Sequence, residues 1–289
     1  MGQEWKTETS GRVSMIAFAG GTQGGETAMV ERMKVSQIQA SLISGIGLSE
    51  IDSGVAGLQQ VPLLFRSLDE LSYVMAAMKP KLERRLREKG FVVLTWIDSG
   101  WVRIFSKTPI LSPEDVMNTK LFTWAGDEPQ TNLLKKLGFR PVPLDSTEIT
   151  SSLQTGLIDT VPMPPFFAMA SQVNKPAPYM LEINYVPLMG AVVVSETVWD
   201  RISAEDQVVV HEIAEKHGVE MTKNGRTEND QAVEVMKADG LTVAKAEGAN
   251  LKVWNDLAVE AYSIIRDTTV PADIFDEVIG LLEEYRSKK

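Results

Sequence analysis

The residue types that usually perform chemistry are few in this sequence, and they are not arranged as a catalytic group. The sequence contains no cysteine, so thiol nucleophiles, thiolate metal sites and disulfides are excluded. Its two histidines, His211 and His217, lie six positions apart in a predicted helix, which turns them about 240° away from each other. They therefore do not form the i, i+4 pair of a zinc site, and no serine occupies a G-x-S-x-G elbow. We expect no catalytic residue, no metal site and no cofactor.

The stretch from Gly90 to Pro165 is the part of the sequence that most strongly indicates a ligand site. Its apolar, strand-like runs end in Trp, Gly and Pro residues. In an α/β fold such strand ends meet at a cleft where a ligand binds. No recognisable catalytic group accompanies them, so the stretch predicts binding without chemistry.

Composition limits the class of protein and its partners. A chain of 289 residues is long enough for two α/β lobes that share a cleft, and 44% apolar with 24% charged residues is typical of a globular protein. The formal charge of -10 repels nucleic acid and anionic lipid, so we expect neither as a partner. No run approaches the roughly 18 to 20 apolar residues of a membrane helix, and we expect no membrane insertion.

Periodicity and capping residues predict alternating strands and helices. Predicted strands cover residues 12–19, 38–44, 91–97, 103–106, 120–124, 157–161, 192–195 and 241–244. Predicted helices cover residues 67–89, 128–137, 147–155, 203–238, 251–266 and 272–285, with a further helix start at Ser112. The run 91–97 is apolar without strict alternation, which indicates a strand covered on both faces in a parallel, doubly wound sheet. The helix after Ser203, about 35 residues long, is long enough to bridge two lobes.

Several short motifs follow one another in an order that is similar to one transport family. They are SGRV at 10–13, GGTQGGE at 20–26, PLLF at 62–65, PILSPED at 109–115 and LQTG at 153–156. Together they resemble the solute-binding proteins of TRAP (tripartite ATP-independent periplasmic) transporters, dicarboxylate-type or DctP-like, over almost the whole chain. The resemblance implies an α/β, two-lobed, periplasmic-binding-protein type II-like fold with a long helix spanning both lobes. Lobe I is expected at 1–101 plus about 188–225, and lobe II at 102–187 plus about 226–289.

The resemblance also implies a function without catalysis. Such a protein is an extracytoplasmic subunit, expected as a monomer in the periplasm, that captures a small carboxylic acid between its lobes and passes it to the membrane subunits of the transporter. Two alternatives stay open: an α/β enzyme acting on a small organic acid, and a truncated, inactive gene product. Residues 1–10 show none of the features of a secretory signal. We therefore expect that the signal peptide and the family's first strand are missing, leaving an exposed apolar groove and lower stability.

Three positions depart from the ligand-binding pattern that the resemblance implies. Phe122 and Val102 stand where the family has carboxylate-binding arginines, and Met163 stands where it has a polar residue. Arg103 lies one position on, and it reaches the ligand only if the strand bulges. We expect an acid that is flatter or more apolar than a four-carbon dicarboxylate, held by stacking and backbone amides. The expected ligand-binding residues are Trp96, Trp101, Arg103, Phe122, Trp124, Ser44, Ser146, Met163 and Phe166.

Other polar residues near these positions are each compatible with a cap, a turn or a solvated surface. They are Gln23, Glu26, Asp98, Asp127 and Gln154. Because some relatives bind their acid through a metal ion, the three carboxylates stay an alternative set of cation ligands.

Overall fold

The computed structural model describes residues 1–18 and 22–288, which form one seven-stranded mixed sheet flanked by helices. The strands are β1 (Ala40–Ser44), β2 (Phe91–Ser106), β3 (Lys120–Trp124), β4 (Arg140–Leu144), β5 (Thr160–Met163), β6 (Tyr179–Ser195) and β7 (Thr242–Lys245). The helices are α1 (Gly2–Glu8), α2 (Glu26–Lys34), α3 (Gly45–Ser49), α4 (Ala56–Gln59), α5 (Leu68–Glu88), α6 (Pro113–Met117), α7 (Glu128–Lys136), α8 (Ile149–Thr155), α9 (Pro165–Ala170), α10 (Glu196–Trp199), α11 (Ala204–Ala238), α12 (Gly248–Ile265) and α13 (Ala272–Ser287). None of the helices in this described part combines the length and apolar character needed to cross a membrane.

Two long strands, β2 and β6, run through both halves of the molecule. The start of β2 pairs with the end of β6, and Phe91 lies opposite Ser195. The end of β2 pairs with the start of β6, and Ser106 lies opposite Tyr179. β1 extends the sheet beside the end of β6, whereas β5, β3 and β4 extend it beside the end of β2. The two lobes are therefore joined by a pair of crossing strands.

The prediction of a parallel sheet is wrong for the centre of the sheet. β1, β2, β5 and β6 pair antiparallel, and the parallel pairs in the described residues are β3 with β4, β3 with β5 and β6 with β7. β2 is nevertheless mostly buried along its length, because α5 and α11 pack against it. Burial under helices produces an apolar strand whatever the direction of its neighbours.

The predicted long helix is confirmed as α11, which is 35 residues long. It begins after Ser203, whose hydroxyl accepts a hydrogen bond from the Asp206 backbone N–H. Val210 belongs to a buried cluster with Trp5 near the start of β2, and Met236 belongs to a second cluster near the end of β2. The helix thus spans both lobes.

The C-terminal helix α13, which lies in the range 226–289 expected in lobe II, packs on the cluster that also contains residues of β1. α13 contacts α5 and α4. Its Ile274, Val278 and Leu282 belong to the same buried cluster as Ile43 of β1. The local helical pattern of α13 does not encode which lobe it covers.

The strand predicted at 12–19 is wrong over the residues that the structure describes, since 12–18 form no strand. Arg12 instead forms an ion pair with Asp206 at 2.7 Å, and the side chains of Ile16 and Phe18 are 82% and 63% exposed. Alternation of residue types does not make a strand without a neighbour to pair with. Residue 19 of this prediction, and residues 20 and 21 of the glycine-rich turn, lie outside the described residues.

Candidate ligand-binding site

A cavity of about 1080 Å³ lies where the paired strands β2 and β6 pass from one lobe to the other, and both lobes contribute to its wall. α2, β1, α3 and α4 form one wall, β3, α8 and α9 form another, and α11 and α12 complete the enclosure. Most of the wall is apolar. Its aromatic side chains are Phe122, Trp124, Phe139, Phe166, Phe167, Tyr185 and Trp254. A cavity of this size and lining suits a small organic ligand.

The cavity wall contains no positive charge among the described residues. Its charged side chains there are two carboxylates, Glu26 and Glu228, and neither lysine nor arginine lines it. A bound anion therefore has no guanidinium or ammonium partner in this wall. The electrostatic character of the wall is neutral to acidic, in keeping with the acidic composition of the chain.

Glu26, at the start of α2, fixes the end of β1. Its Oε1 accepts a hydrogen bond from the Ser44 backbone N–H at 2.9 Å, and its Oε2 accepts from the Ser44 hydroxyl at 2.6 Å and the Gly47 N–H at 3.1 Å. The Ser44 hydroxyl also accepts from the Ile46 N–H and caps α3. Ser44 lines the cavity as predicted, but its hydroxyl proton is already used by Glu26.

Gln59, which sequence reasoning missed, is a buried member of the wall with 4% exposure. Its Oε1 accepts hydrogen bonds from the backbone N–H groups of Gly45 and Met189, both at 3.1 Å. The side chain thereby connects α4 to the start of α3 and to β6. A side-chain carbon on Gly45 would come within 2.6 Å of this oxygen, so the close approach requires glycine.

A bulge in β2 decides which of its side chains face the cavity. The lining residues of β2 are Ile97, Ser99, Val102 and Ile104. The alternation shifts by one position at Gly100, whose φ of +84° favours glycine, where the pairing with β6 loses its regular register. A regular strand would have turned Trp101 and Arg103 towards the cavity together with Ser99. The bulge on which the prediction for Arg103 depended is present, but it turns Arg103 away.

Three predicted site residues lie outside the cavity wall. Arg103 donates a hydrogen bond to the Asn184 side-chain oxygen at 2.6 Å, and its burial lowers its pKa. Trp96 lies in a shallow groove beside α11, and its indole N–H donates to Glu83 at 3.1 Å. Trp101 packs at the edge of the lobe I core. These residues are not carried into the proposed site.

The other six predicted residues all line the cavity. They are Ser44, Phe122, Trp124, Ser146, Met163 and Phe166. The rings of Phe122 and Trp124 meet edge to face with centroids 5.5 Å apart. Phe122 is only 3% exposed, so it belongs to the lobe II core as well as to the wall. Contact between these residues and a ligand stays a prediction.

The carboxylates considered as cation ligands have other partners. Asp98 pairs with Arg226 through two short contacts of 2.7 and 2.6 Å. Asp127 caps α7 by accepting from the Gln130 N–H at 3.0 Å. Across residues 1–18 and 22–288, no three His, Asp or Glu side chains form a group suited to a metal ion.

Parts of the wall from α11 and α12 were not anticipated from the sequence. Trp254 of α12 lines the cavity and donates its indole N–H to the Leu111 carbonyl at 2.9 Å. Asn229 of α11, 4% exposed, donates to the Trp101 carbonyl at 3.1 Å and accepts from the Phe166 N–H at 2.9 Å. The sequence pattern predicted both helices, but it did not show which face of each helix packs against β2 and β6.

Two lobes joined by crossing strands, a helix spanning both and a cavity between them define a two-lobed, periplasmic-binding-protein type II-like solute-binding fold. Residues 1–267 match the family described as bacterial extracellular solute-binding protein, family 7, and the chain belongs to that family. The family and the similar solved structures are solute-binding proteins of transport systems, not enzymes, so the enzyme alternative is rejected.

Individual relatives are distant in sequence and close in structure. The uncharacterized protein YiiZ of Salmonella typhimurium is 28% identical over 227 residues, which are 77% of this chain and 68% of that protein. The C4-dicarboxylate-binding periplasmic protein DctP of Rhodobacter capsulatus is 25% identical over 222 residues, which are 73% of this chain and 65% of that protein. The chain thus spans about two thirds of the length of these relatives. The sugar acid binding protein DctPAm of Advenella mimigardefordensis, solved with galactonate, is 18% identical with a TM-score of 0.90, covering 98% of this chain and 91% of that one.

Proposed function

We propose that this protein is the solute-binding subunit of a TRAP-type transporter. It acts in the periplasm as a monomer, captures a small organic acid between its lobes and presents it to the membrane subunits. The observation behind the proposal is the cavity of about 1080 Å³ where β2 and β6 pass from one lobe to the other. The names of the Rhodobacter and Advenella proteins, which mention C4-dicarboxylates and galactonate, support an acid as the ligand.

The acid has a flatter or more apolar body than a four-carbon dicarboxylate. This part of the proposal is supported by the aromatic wall formed by Phe122, Trp124 and Phe166. It is also supported by the lack of lysine and arginine in the described wall, since a small dianion would enter such a cavity without a charge partner. Stacking on rings and contact with apolar side chains favour a flat body instead.

Closure of the lobes buries the ligand and forms the surface that the membrane subunits recognise. Lobe I comprises 1–101 and about 188–225, and the packing of α13 on α5 adds the C-terminal helix to it. Lobe II comprises 102–187 and the segment that follows 225 as far as α12. The boundaries between the lobes coincide with the crossing strands and with α11.

Isothermal titration calorimetry with matched acids tests this function. The aromatic probes are phenylpyruvate, 4-hydroxyphenylpyruvate and indole-3-acetate, and the aliphatic probes are succinate and galactonate. We expect binding of at least one aromatic acid and weaker or no binding of succinate. Tryptophan emission should respond to binding in the wild type and respond less in Trp124→Phe, with Trp199→Phe as control because Trp199 is buried outside the cavity wall. No heat and no fluorescence change with any of the five acids would contradict the proposal.

A further inference from the structure

Two hydrogen-bond donors in the cavity wall have no partner in the described part of the chain. They are the amide nitrogen of Gln59 and the hydroxyl of Tyr185. Both residues line the cavity, and neither group takes part in any hydrogen bond within residues 1–18 and 22–288. A ligand that displaces water from such a donor without offering an acceptor loses about 1 to 3 kcal/mol, so each group favours a ligand that brings an acceptor to it.

The orientation of the Gln59 amide is fixed by its own contacts. Because Oε1 accepts from the N–H groups of Gly45 and Met189, exchanging the amide oxygen and nitrogen would place two pairs of donors face to face. Nε2 therefore occupies the other side of the amide. Nε2 is not among the fully buried atoms without a partner, and the residue lines the cavity.

Tyr185 lies on β6 and is held by its backbone, whose carbonyl accepts from the Leu63 N–H at 2.8 Å. Its ring packs beside a lobe II cluster that contains Leu121 and Trp254. Burial raises the pKa of Tyr185 to about 12, so the hydroxyl keeps its proton at neutral pH and can donate it. The hydroxyl oxygen is not among the fully buried atoms without a partner, and the residue lines the cavity.

We infer that Gln59 Nε2 and the Tyr185 hydroxyl bind oxygen atoms of the ligand, and that these uncharged donors determine its specificity in place of an arginine. The inference rests on the proposed function. Gln59 is anchored to Met189, and Tyr185 precedes Met189 by four residues, about 13 Å along an extended strand. The two side chains are therefore held at separate places along β6, and we expect them to bind different oxygen groups of the ligand. The ligand class is a flat organic acid with oxygen acceptors at both ends.

Calorimetry with 4-hydroxyphenylpyruvate, which has oxygen atoms at both ends of a flat body, tests the inference. Tyr185→Phe removes only the hydroxyl. Gln59→Glu keeps an oxygen for Gly45 and Met189 and replaces the donor nitrogen by an acceptor. Each variant is expected to weaken binding about tenfold or more. Because no ion pair is formed, the wild-type Kd is expected to change less than about threefold between 50 and 500 mM NaCl.

Matched controls separate the loss of a donor from other effects of the substitutions. Tyr179→Phe makes the same change on the same strand outside the cavity wall, and Gln39→Glu adds the same charge at an exposed residue outside it. Both controls are expected to bind like the wild type. If Gln59→Glu does not fold, as judged by circular dichroism, Tyr185→Phe decides alone.

The outcomes distinguish the inference from the function on which it rests. Wild-type binding that Tyr185→Phe and Gln59→Glu both retain at full strength overturns the inference and leaves the proposed function standing. A Kd that rises steeply with salt also overturns it, because that result requires a charge partner. Wild-type protein that binds none of the five acids overturns the proposed function, and the inference falls with it.

Discussion

Asp127 is a buried carboxylate that has no ion-pair partner in the described part of the chain. It is 7% exposed, and its Oδ1 caps α7 at the Gln130 N–H. Its Oδ2 is buried and has no hydrogen-bond partner within the described residues. Burial raises the pKa of Asp127, so its native form holds a proton more readily than its unfolded form. Stability therefore falls as the pH rises from about 3.9, the unfolded value, through the raised native pKa.

Asp127→Asn is accordingly expected to increase the free energy of unfolding by about 1 kcal/mol at pH 7. Asparagine keeps the capping oxygen and removes the buried charge. The gain should shrink as the pH falls through about 3.9 and disappear well below it, where both states of Asp127 are protonated. Urea unfolding at about pH 3 and at pH 7 measures the difference. Asp239→Asn, which removes an exposed carboxylate paired with Lys175, should show no gain at pH 7; equal stability of Asp127→Asn and the wild type at pH 7 would contradict the argument.

Positions in the cavity wall were predictable where strand ends set them. Phe122 and Trp124 were found because they end an apolar run, and both line the cavity. Arg103 was not predictable in the same way, because its direction depends on the bulge at Gly100. A bulge arises from pairing with a strand distant in sequence, so counting alternate residues along β2 gives the wrong face beyond it. Nothing in the sequence pattern indicated Gln59, because its position depends on hydrogen bonds from the backbone N–H groups of Gly45 and Met189, which come close to it only in the folded chain.

At the scale of elements, α11 lies against β2 at a distance that a side chain at Gly218 would prevent. A carbon added there would come within 2.0 Å of the Thr95 hydroxyl oxygen. Gly218→Ala is therefore expected to lower the free energy of unfolding by about 1 to 3 kcal/mol, since α11 must move away from β2. Gly280→Ala in α13 is the control, because nothing lies within 4 Å of the added carbon there. From helix propensity alone, Gly280→Ala is expected to raise the free energy of unfolding by up to about 1 kcal/mol.

Urea unfolding of the two alanine variants measures this contrast. The close approach predicts opposite signs, with a loss for Gly218→Ala and a gain or no change for Gly280→Ala. A gain in both variants would show that helix propensity outweighs the contact between α11 and β2. In that case the packing of the long helix would tolerate a methyl group.

Glu70 connects α5 to the C-terminal helix α13. It is 4% exposed and accepts two hydrogen bonds from Arg286, at 2.8 and 2.7 Å. Burial by itself raises the pKa of Glu70, but the Arg286 hydrogen bonds and the Arg66 backbone N–H outweigh it and lower the pKa. The stability that this pair contributes is present above about pH 4.3, the unfolded value, and is lost as the pH falls through the lowered native pKa.

Glu70→Gln is expected to lower the free energy of unfolding by about 3 kcal/mol at pH 7, because it leaves Arg286 without its charge partner. The difference in the free energy of unfolding between Glu70→Gln and the wild type should become smaller at acidic pH, because the wild-type carboxylate is then protonated. Urea unfolding at pH 7 and pH 3 measures it. Glu284→Gln, at an exposed residue of α13, the helix that carries Arg286, is the control and should stay within about 0.5 kcal/mol of the wild type. A deficit that does not change with pH would mean that the charge is unimportant.

The helices were more predictable than the sheet because their signals are local. Ser112 and Ser203 each accept a hydrogen bond from the backbone N–H three residues on, as their sequence positions predicted, and Ser67 does the same at the start of α5. The pairing of strands involves residues that are far apart in sequence. Of the 17 residues of β6, only 192–195 were predicted, because Pro187 and the mixed residues around it hide the extended pattern.

At the scale of the whole molecule, polar side chains of α11 hold the segment in which β2 passes between the lobes. Arg226 of α11 binds Asp98 just before the bulge in β2, and the Asp98 carboxylate accepts from the Gly100 N–H at 3.3 Å. Asn229, one turn further along α11, joins the Trp101 carbonyl to the Phe166 N–H of lobe II. The bulge is therefore braced by the helix that spans both lobes. A change in the angle between the lobes has to act on these same contacts.

Ligand binding is expected to make the whole molecule more compact. A compact chain of 289 residues has a radius of gyration of about 19 Å, and an open cleft between two lobes raises it. Since the cavity wall is built from both lobes, a ligand that contacts both walls favours the closed arrangement. Small-angle X-ray scattering with saturating 4-hydroxyphenylpyruvate should therefore show a smaller radius than the ligand-free protein. An acid that gives no calorimetric heat is the control and should leave the radius unchanged. An unchanged radius under saturating 4-hydroxyphenylpyruvate would mean that this protein binds without closing, and the membrane subunits would then have to recognise the bound state by some other surface change.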